Sequence, residues 1–191
     1  ALPIYYVISP GAAFIVGSGS SDTLFYINTA TGNRDYQLLV TDCPTVGLSG
    51  DGTKTIALSA VNPAVIYRID NATHAVTGTV TVNGYTLSFY DVAVNQDGSK
   101  ALIATSNNTS AIVRFATSDF TIFSSTYSAC WIGVSPDHTK AISGQYRFSI
   151  IDFATETMLG QHQGNSQYTG AVSPLGTRAI GYDEHRYHEL E

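Results

Sequence analysis

One twelve-residue phrase, Trp131 to Ile142 (Trp-Ile-Gly-Val-Ser-Pro-Asp-His-Thr-Lys-Ala-Ile), returns in altered form at Tyr5–Val16, Thr45–Leu58, Tyr90–Ile103 and Thr169–Ile180. Each copy is an apolar run, a short polar turn and a second apolar run. Aligned on the residue before the turn, the copies place Ser9, Ser49, Asn95, Ser135 and Ser173 in register, at spacings of 40, 46, 40 and 38 residues. A period near 40 overrides length as a guide to domain count, because each unit can bury its apolar face only against a neighbour of the same kind. We therefore expect one domain over 1–191, with units near 4–43, 44–88, 89–129, 130–167 and a partial fifth at 168–191.

Within a unit the turn carries Asp-Gly or a relative of it, as in Gly50-Asp51-Gly52-Thr53. Such residues supply left-handed backbone positions and mark a hairpin. A third run follows (Leu24–Asn28, Val65–Asp70, Ala111–Ala116, Phe148–Phe153), then a turn of Asn, Asp, Thr and Ser, then a more polar fourth run (Asp35–Val40, Val76–Val82, Phe120–Ser124, Met158–Gln161). Short polar side chains in those turns can bond the backbone locally. No window has a 3.6-residue apolar period, so helix is expected to be nearly absent. Four strands per unit, recurring in one order, predict an all-β protein: a β-propeller of four-stranded antiparallel blades, four complete repeats plus a partial fifth. The fifth has two strands and Arg186–Leu190 as a third. That predicts a short last blade, a part of a larger ring, or completion by a second chain as a homodimer.

The units resemble the YVTN and related SPDG β-propeller repeats of microbial surface-layer proteins. Val134-Ser135-Pro136-Asp137, Val172-Ser173-Pro174 and Ile150-Ile151-Asp152-Phe153-Ala154-Thr155 carry the resemblance, which covers nearly the whole chain. Pro10-Gly11-Ala12 is one residue short of the pattern, and Leu175 stands where the turn Asp is expected. The resemblance implies the blade. For function it spans adhesion modules, lactonases and lyases alike.

Composition narrows the partners. Hydrophobic residues make up 43% and charged residues 13%, enough apolar material for a core. The formal charge is -6 with only nine Lys and Arg and no basic cluster, which argues against nucleic acid. No apolar run approaches the length of about 18 residues that crosses a bilayer, so membrane insertion is not expected. Scarce Lys, abundant Ser, Thr, Asn and Tyr, a first residue that is not Met, and acceptor patterns for N-glycosylation at Asn71, Asn107 and Asn108 point to an extracellular or cell-surface setting, as a processed protein or an excised piece.

Loops from one unit's fourth strand to the next unit's first should crowd one mouth of the channel. They carry Asp42, Tyr90, Asp91, Trp131 and Tyr168, the candidate ligand-binding residues. Tyr and Trp offer rigid surface to a carbohydrate or protein, or else pack between blades. Cys43 and Cys130 fall at nearly equivalent places two units apart. A disulfide between them needs alpha carbons within about 7 Å, and so a narrow ring; in a wide one both stay free. His185 and His188 have HxxH spacing, but residues three apart on a strand face opposite ways, so no metal site is expected. No nucleophile elbow, phosphate loop or haem motif occurs, and no cofactor or catalytic residue is assigned. Asp51, Asp97 and Asp137 recur with the repeat and read as turn residues. The expected function is a non-enzymatic module for adhesion, surface assembly, or protein or carbohydrate binding. A portion of a lactonase- or lyase-like enzyme, and an excised or engineered blade array that only self-assembles, are the alternatives.

Overall fold

In the computed structural model, residues 5–19, 22–83, 89–105, 109–122, 131–144, 147–163, 169–173, 178–182 and 187–190 are described. The first unit holds β1 (Tyr5–Ile8), β2 (Phe14–Gly19), β3 (Thr23–Asn28) and β4 (Arg34–Leu39). The second holds β5 (Thr45–Leu48), β6 (Lys54–Ser59), β7 (Ala64–Asp70) and β8 (Val76–Val82). The third holds β9 (Phe89–Val94), β10 (Lys100–Thr105), β11 (Thr109–Arg114) and β12 (Asp119–Ile122), and the fourth β13 (Trp131–Val134), β14 (Lys140–Gly144), β15 (Arg147–Asp152) and β16 (Met158–Gln163). The fifth has β17 (Thr169–Val172), β18 (Ala179–Tyr182) and β19 (Tyr187–Leu190). Every unit is an antiparallel meander with its strands in chain order. Among the described residues the only helical element is a 3-10 turn at Pro10–Ala12.

The sheets are blades. Their first strands lie side by side in succession, β1 by β5, β5 by β9, β9 by β13 and β13 by β17, so these strands form the inner edge of a propeller. An inner strand is covered on both faces, and β5 is accordingly buried at all four positions. An outer strand such as β4 is almost wholly exposed. Between blades the apolar side chains interleave. Leu48 and Val46 of the second blade pack with Val16, Leu24 and Tyr26 of the first, and Val92 and Val94 of the third pack with Ile56, Ile66 and Val80 of the second.

The recurring Ser or Asn ties each first hairpin, joined by an Asp in the second, third and fourth blades. Ser49 Oγ accepts from Lys54 N at 2.9 Å and donates to Asp51 Oδ1 at 2.6 Å, while Asp51 Oδ1 accepts from Thr53 N at 2.9 Å. The fourth blade repeats this through Ser135, Asp137 and Thr139, and the third substitutes Asn95 for Ser. Hydrogen bonds from Ser135 and Thr139 hold the Asp137 carboxyl down at about 2. His138 stands where other units have Gly because both occupy the left-handed region, with φ of 53° against 71° at Gly52 and 69° at Gly98.

The turns between third and fourth strands reach back to the preceding blade. In the second blade the His74 ring stacks on Tyr36 at 4.0 Å and meets Tyr26 edge-on at 4.7 Å, and Tyr26 donates to Asn71 Oδ1 at 3.1 Å. In the fourth blade Glu156 binds Arg114 and pairs with Lys100 at 2.8 Å. Lys100 also donates to the Phe153 carbonyl at 2.7 Å. These latches add direction to an interface whose attraction is otherwise apolar.

Candidate functional site

The two ends of the inner strands differ. At one end the first-hairpin turns of successive blades pack on each other. Asp51 N donates to the Gln96 carbonyl at 2.9 Å, and the His138 ring nitrogen lies 2.7 Å from the Val94 carbonyl. A Cβ on Gly50 would stand 2.1 Å from Gln96 Oε1 and 2.6 Å from the His138 ring, so a side chain there would have to push both aside. The opposite end, where a fourth strand passes to the next first strand, carries the predicted ligand-binding residues.

Their fates diverge. Asp42 is exposed in a left-handed conformation, φ 49°, fixed by its amide donating to Asp22 Oδ1 at 2.6 Å and its carbonyl accepting from Ala60 N at 2.8 Å. Tyr90 leaves 44% of its surface open. Trp131 is 6% exposed and packs with Ile142, Ile150 and Val172, over Gly144, where a Cβ would fall 2.7 Å from the indole. It is mortar between the fourth and fifth blades. Tyr168 lies outside the described residues.

Asp91 joins two blades. Its Oδ2 accepts from Ile132 N on β13 at 2.8 Å and its Oδ1 from Val92 N at 2.9 Å. Burial raises its pKa, and the two amides only partly oppose that rise. The carboxyl is therefore a clasp between adjacent inner strands.

Cys43 is a buried free thiol whose Sγ donates to the Thr45 carbonyl at 3.6 Å, and burial pushes its pKa up to about 12. Cys130 lies outside the described residues, as do Asn107 and Asn108, and the side chains of His185 and His188. Asn71 is half-buried in the second blade. Its Oδ1 accepts from Thr55 Oγ1 at 2.6 Å and from Tyr26, and its Nδ2 donates to the Gly52 carbonyl at 2.8 Å. A glycan on Nδ2 would displace that last bond.

The remaining shifted carboxyls are also engaged. Burial works against the charged forms of Asp51 and Asp97, and the hydroxyl and amide donors around them overcome it. The Thr155 and Ala154 amides lower Asp152, and the Arg114 guanidinium holds Glu156 at about 2. Sequence reasoning missed the latch residues Tyr26, Tyr36, His74, Arg114 and Glu156. The available signal was the position of His74 and Glu156, each at the close of a third-to-fourth-strand turn.

No family model matches the chain, and no curated protein matches it in sequence. Its fold, however, is widespread among solved structures. The hydrazine synthase of Kuenenia stuttgartiensis superposes with a TM-score of 0.74 at 15% identity, over 94% of this chain and 55% of that one. The β-propeller domain of Myceliophteria thermophila Cps50 (Swd1) gives 0.76 at 10% identity, over 96% of this chain and 63% of the other. The chain thus spans between about half and two thirds of these neighbours. At such identities the likeness carries the fold alone, and with the meandering blades it establishes that this chain is built as a β-propeller.

Proposed function

We propose that the chain is a non-enzymatic propeller module of the YVTN type, working outside the cell or at its surface, that binds protein or carbohydrate through the rim bearing Asp42 and Tyr90. The observation that carries this reading is the use made of the shifted carboxyls. Each one among the described residues holds a backbone amide or a basic partner. Perturbed groups mark active sites when they are aimed into a cleft with nothing structural to do, and these are engaged in turns, latches and a clasp. What the rim offers instead is an exposed ring with a polar tip at Tyr90 and, between the first two blades, the exposed Asp42, the surface chemistry that sugars and protein loops recognise.

The test is binding of the purified chain to a glycan array and to isolated surface-layer polymer, with Tyr90→Ala and Asp42→Ala in parallel. Tyr90→Ala is expected to weaken binding about fivefold to tenfold, in keeping with loss of one aromatic anchor, while leaving Tm unchanged. Absence of binding, together with lactone hydrolysis or lyase turnover that co-purifies with the chain, would overturn the proposal. The enzyme reading keeps one specific support, the raised pKa of Asp91 at the rim. Turnover unchanged in Asp91→Asn would remove it.

A further inference from the structure

The repeat allows each end of the array to be compared with its own interior. Strand pairing puts Ile8 opposite Ile15, Leu48 opposite Thr55 and Val94 opposite Ala101, so Ile8, Leu48 and Val94 are one structural position on the face a blade turns to its predecessor. Leu48 is 8% exposed and Val94 1%, whereas Ile8 is 55% exposed. On the opposite face, Val16, Ile56, Leu102, Ile142 and Ile180 are likewise one position. The first four are 0–4% exposed because the following blade covers them, and Ile180 is 43% exposed. In the first blade Gly32 stands at the turn position of His74 and Glu156, in the same left-handed conformation but with no side chain to reach back.

The described strands β1 and β17 do not pack together as consecutive inner strands do. Two apolar blade faces of complementary kind therefore stand open, one at each end of an arc. Since the arc superposes on the Swd1 propeller domain, its curvature is that of the larger ring. The superposition takes about 183 of the 191 residues as 63% of that chain, which leaves roughly 110 of its residues unmatched, room for two to three units of the ~40-residue repeat. A second copy of the whole array is too long for such a gap.

We infer that the Ile8 face and the Ile180 face are docking surfaces for one wedge of two to three further blades of this same four-strand repeat, which closes a ring of seven or eight. The complement is fixed by the interior. A trailing blade face like that of Val16, Leu24 and Tyr26 fits the Ile8 side, and a leading face like that of Val46 and Leu48 fits the Ile180 side. The inference is independent of what the rim binds.

The experiment uses the 191-residue chain alone and with its own residues 44–88, 44–129 or 44–167 joined ahead of Ala1, which adds one, two or three blades. Amide exchange is read at β1 and β18 against β6 and β10, with solution mass from light scattering. In the unextended chain β1 and β18 should exchange fast. One added blade should slow β1 only. The two- or three-blade form should be monomeric and should slow β18 by at least tenfold, since a covered strand opens only with its neighbours. Ile180→Lys should then be tolerated in the unextended chain and reverse the β18 protection in the closed one. The inference is overturned if the unextended chain already protects both faces, as a monomer or a dimer, or if neither longer form protects β18.

Discussion

Asp91→Ala separates a clasp from a carboxylate held ready for a ligand. The side chain accepts two backbone amides, Ile132 N at 2.8 Å and Val92 N at 2.9 Å, and so pins the first strand of the third blade to that of the fourth. Hydrogen bonds to a charged acceptor contribute about 1.5–3 kcal/mol each, and a buried amide left without a partner costs about 1–3 kcal/mol. Alanine removes both bonds but also relieves the burial that raises the carboxyl's pKa, an offset that leaves a net loss of about 2–3 kcal/mol. Against a total stability of about 5–15 kcal/mol this is large. Asn keeps one acceptor oxygen and should lose about 1–2 kcal/mol.

Urea unfolding at pH 7, followed by the fluorescence of the single Trp131, reads the change directly because that ring is buried beside the fourth blade's inner edge. The midpoint should fall with the slope m unchanged. The pH dependence adds a second check. A carboxyl whose native pKa is raised contributes stability that is fully present below the unfolded value, 3.8, and is lost as pH rises through the native one. The deficit of Asp91→Asn should therefore narrow as pH rises through the acid range. A loss below about 0.5 kcal/mol for Asp91→Ala, the size of an ordinary surface change, would refute the clasp, and a deficit that widens with pH would refute the dominance of burial over the two amides at this carboxyl.

The other groups give shorter tests. Ile56→Ala, at a fully buried position, should cost about 3 kcal/mol, and Ile180→Ala, 43% exposed, about 1 kcal/mol or less, by denaturant titration of each variant. Glu156→Gln should lose about 1 kcal/mol at pH 7 and match the parent near pH 2, because stabilisation by its partners is present above its ordinary value of 4.5 and lost as pH falls through about 2. Cys43, with a thiol pKa near 12, should resist iodoacetamide at pH 8 in the native chain and react on unfolding; fast native labelling would contradict its burial between the first two blades. Gly50→Ala should lower Tm by several degrees, since Gln96 and the His138 ring, held to the Val94 carbonyl, must move.

Much of the blade was legible in the chain because local chemistry repeats. The fourth strand expected at Val76–Val82 lies there, and third strands expected at Leu24–Asn28 and Val65–Asp70 each begin one residue earlier. Asp51, Asp97 and Asp137 read as turn residues because an Asp bonding amides two residues on is a local event. The rim was legible only as a region. Tyr90 and Trp131 look alike in sequence, yet pairing makes Trp131 the equivalent of Asp91, not of Tyr90. One residue of register sends a side chain to the other face, so one ring is exposed and the other sealed between blades.

By itself, then, the sequence determined the repeat, the four-strand meander and the turn chemistry, all of which depend on residues within a few positions of one another. Only the tertiary structure decided that Trp131 is interior, that Asp91 grips Ile132 forty-one residues away, that Glu156 reaches back to Arg114, and that Ile8 and Ile180 lie open while their interior equivalents are buried. Those facts concern the meeting of one blade with another. The physical reason is that an apolar face carries no address: interior and terminal copies of the same strand have the same pattern, and the presence of a neighbour decides whether water touches it.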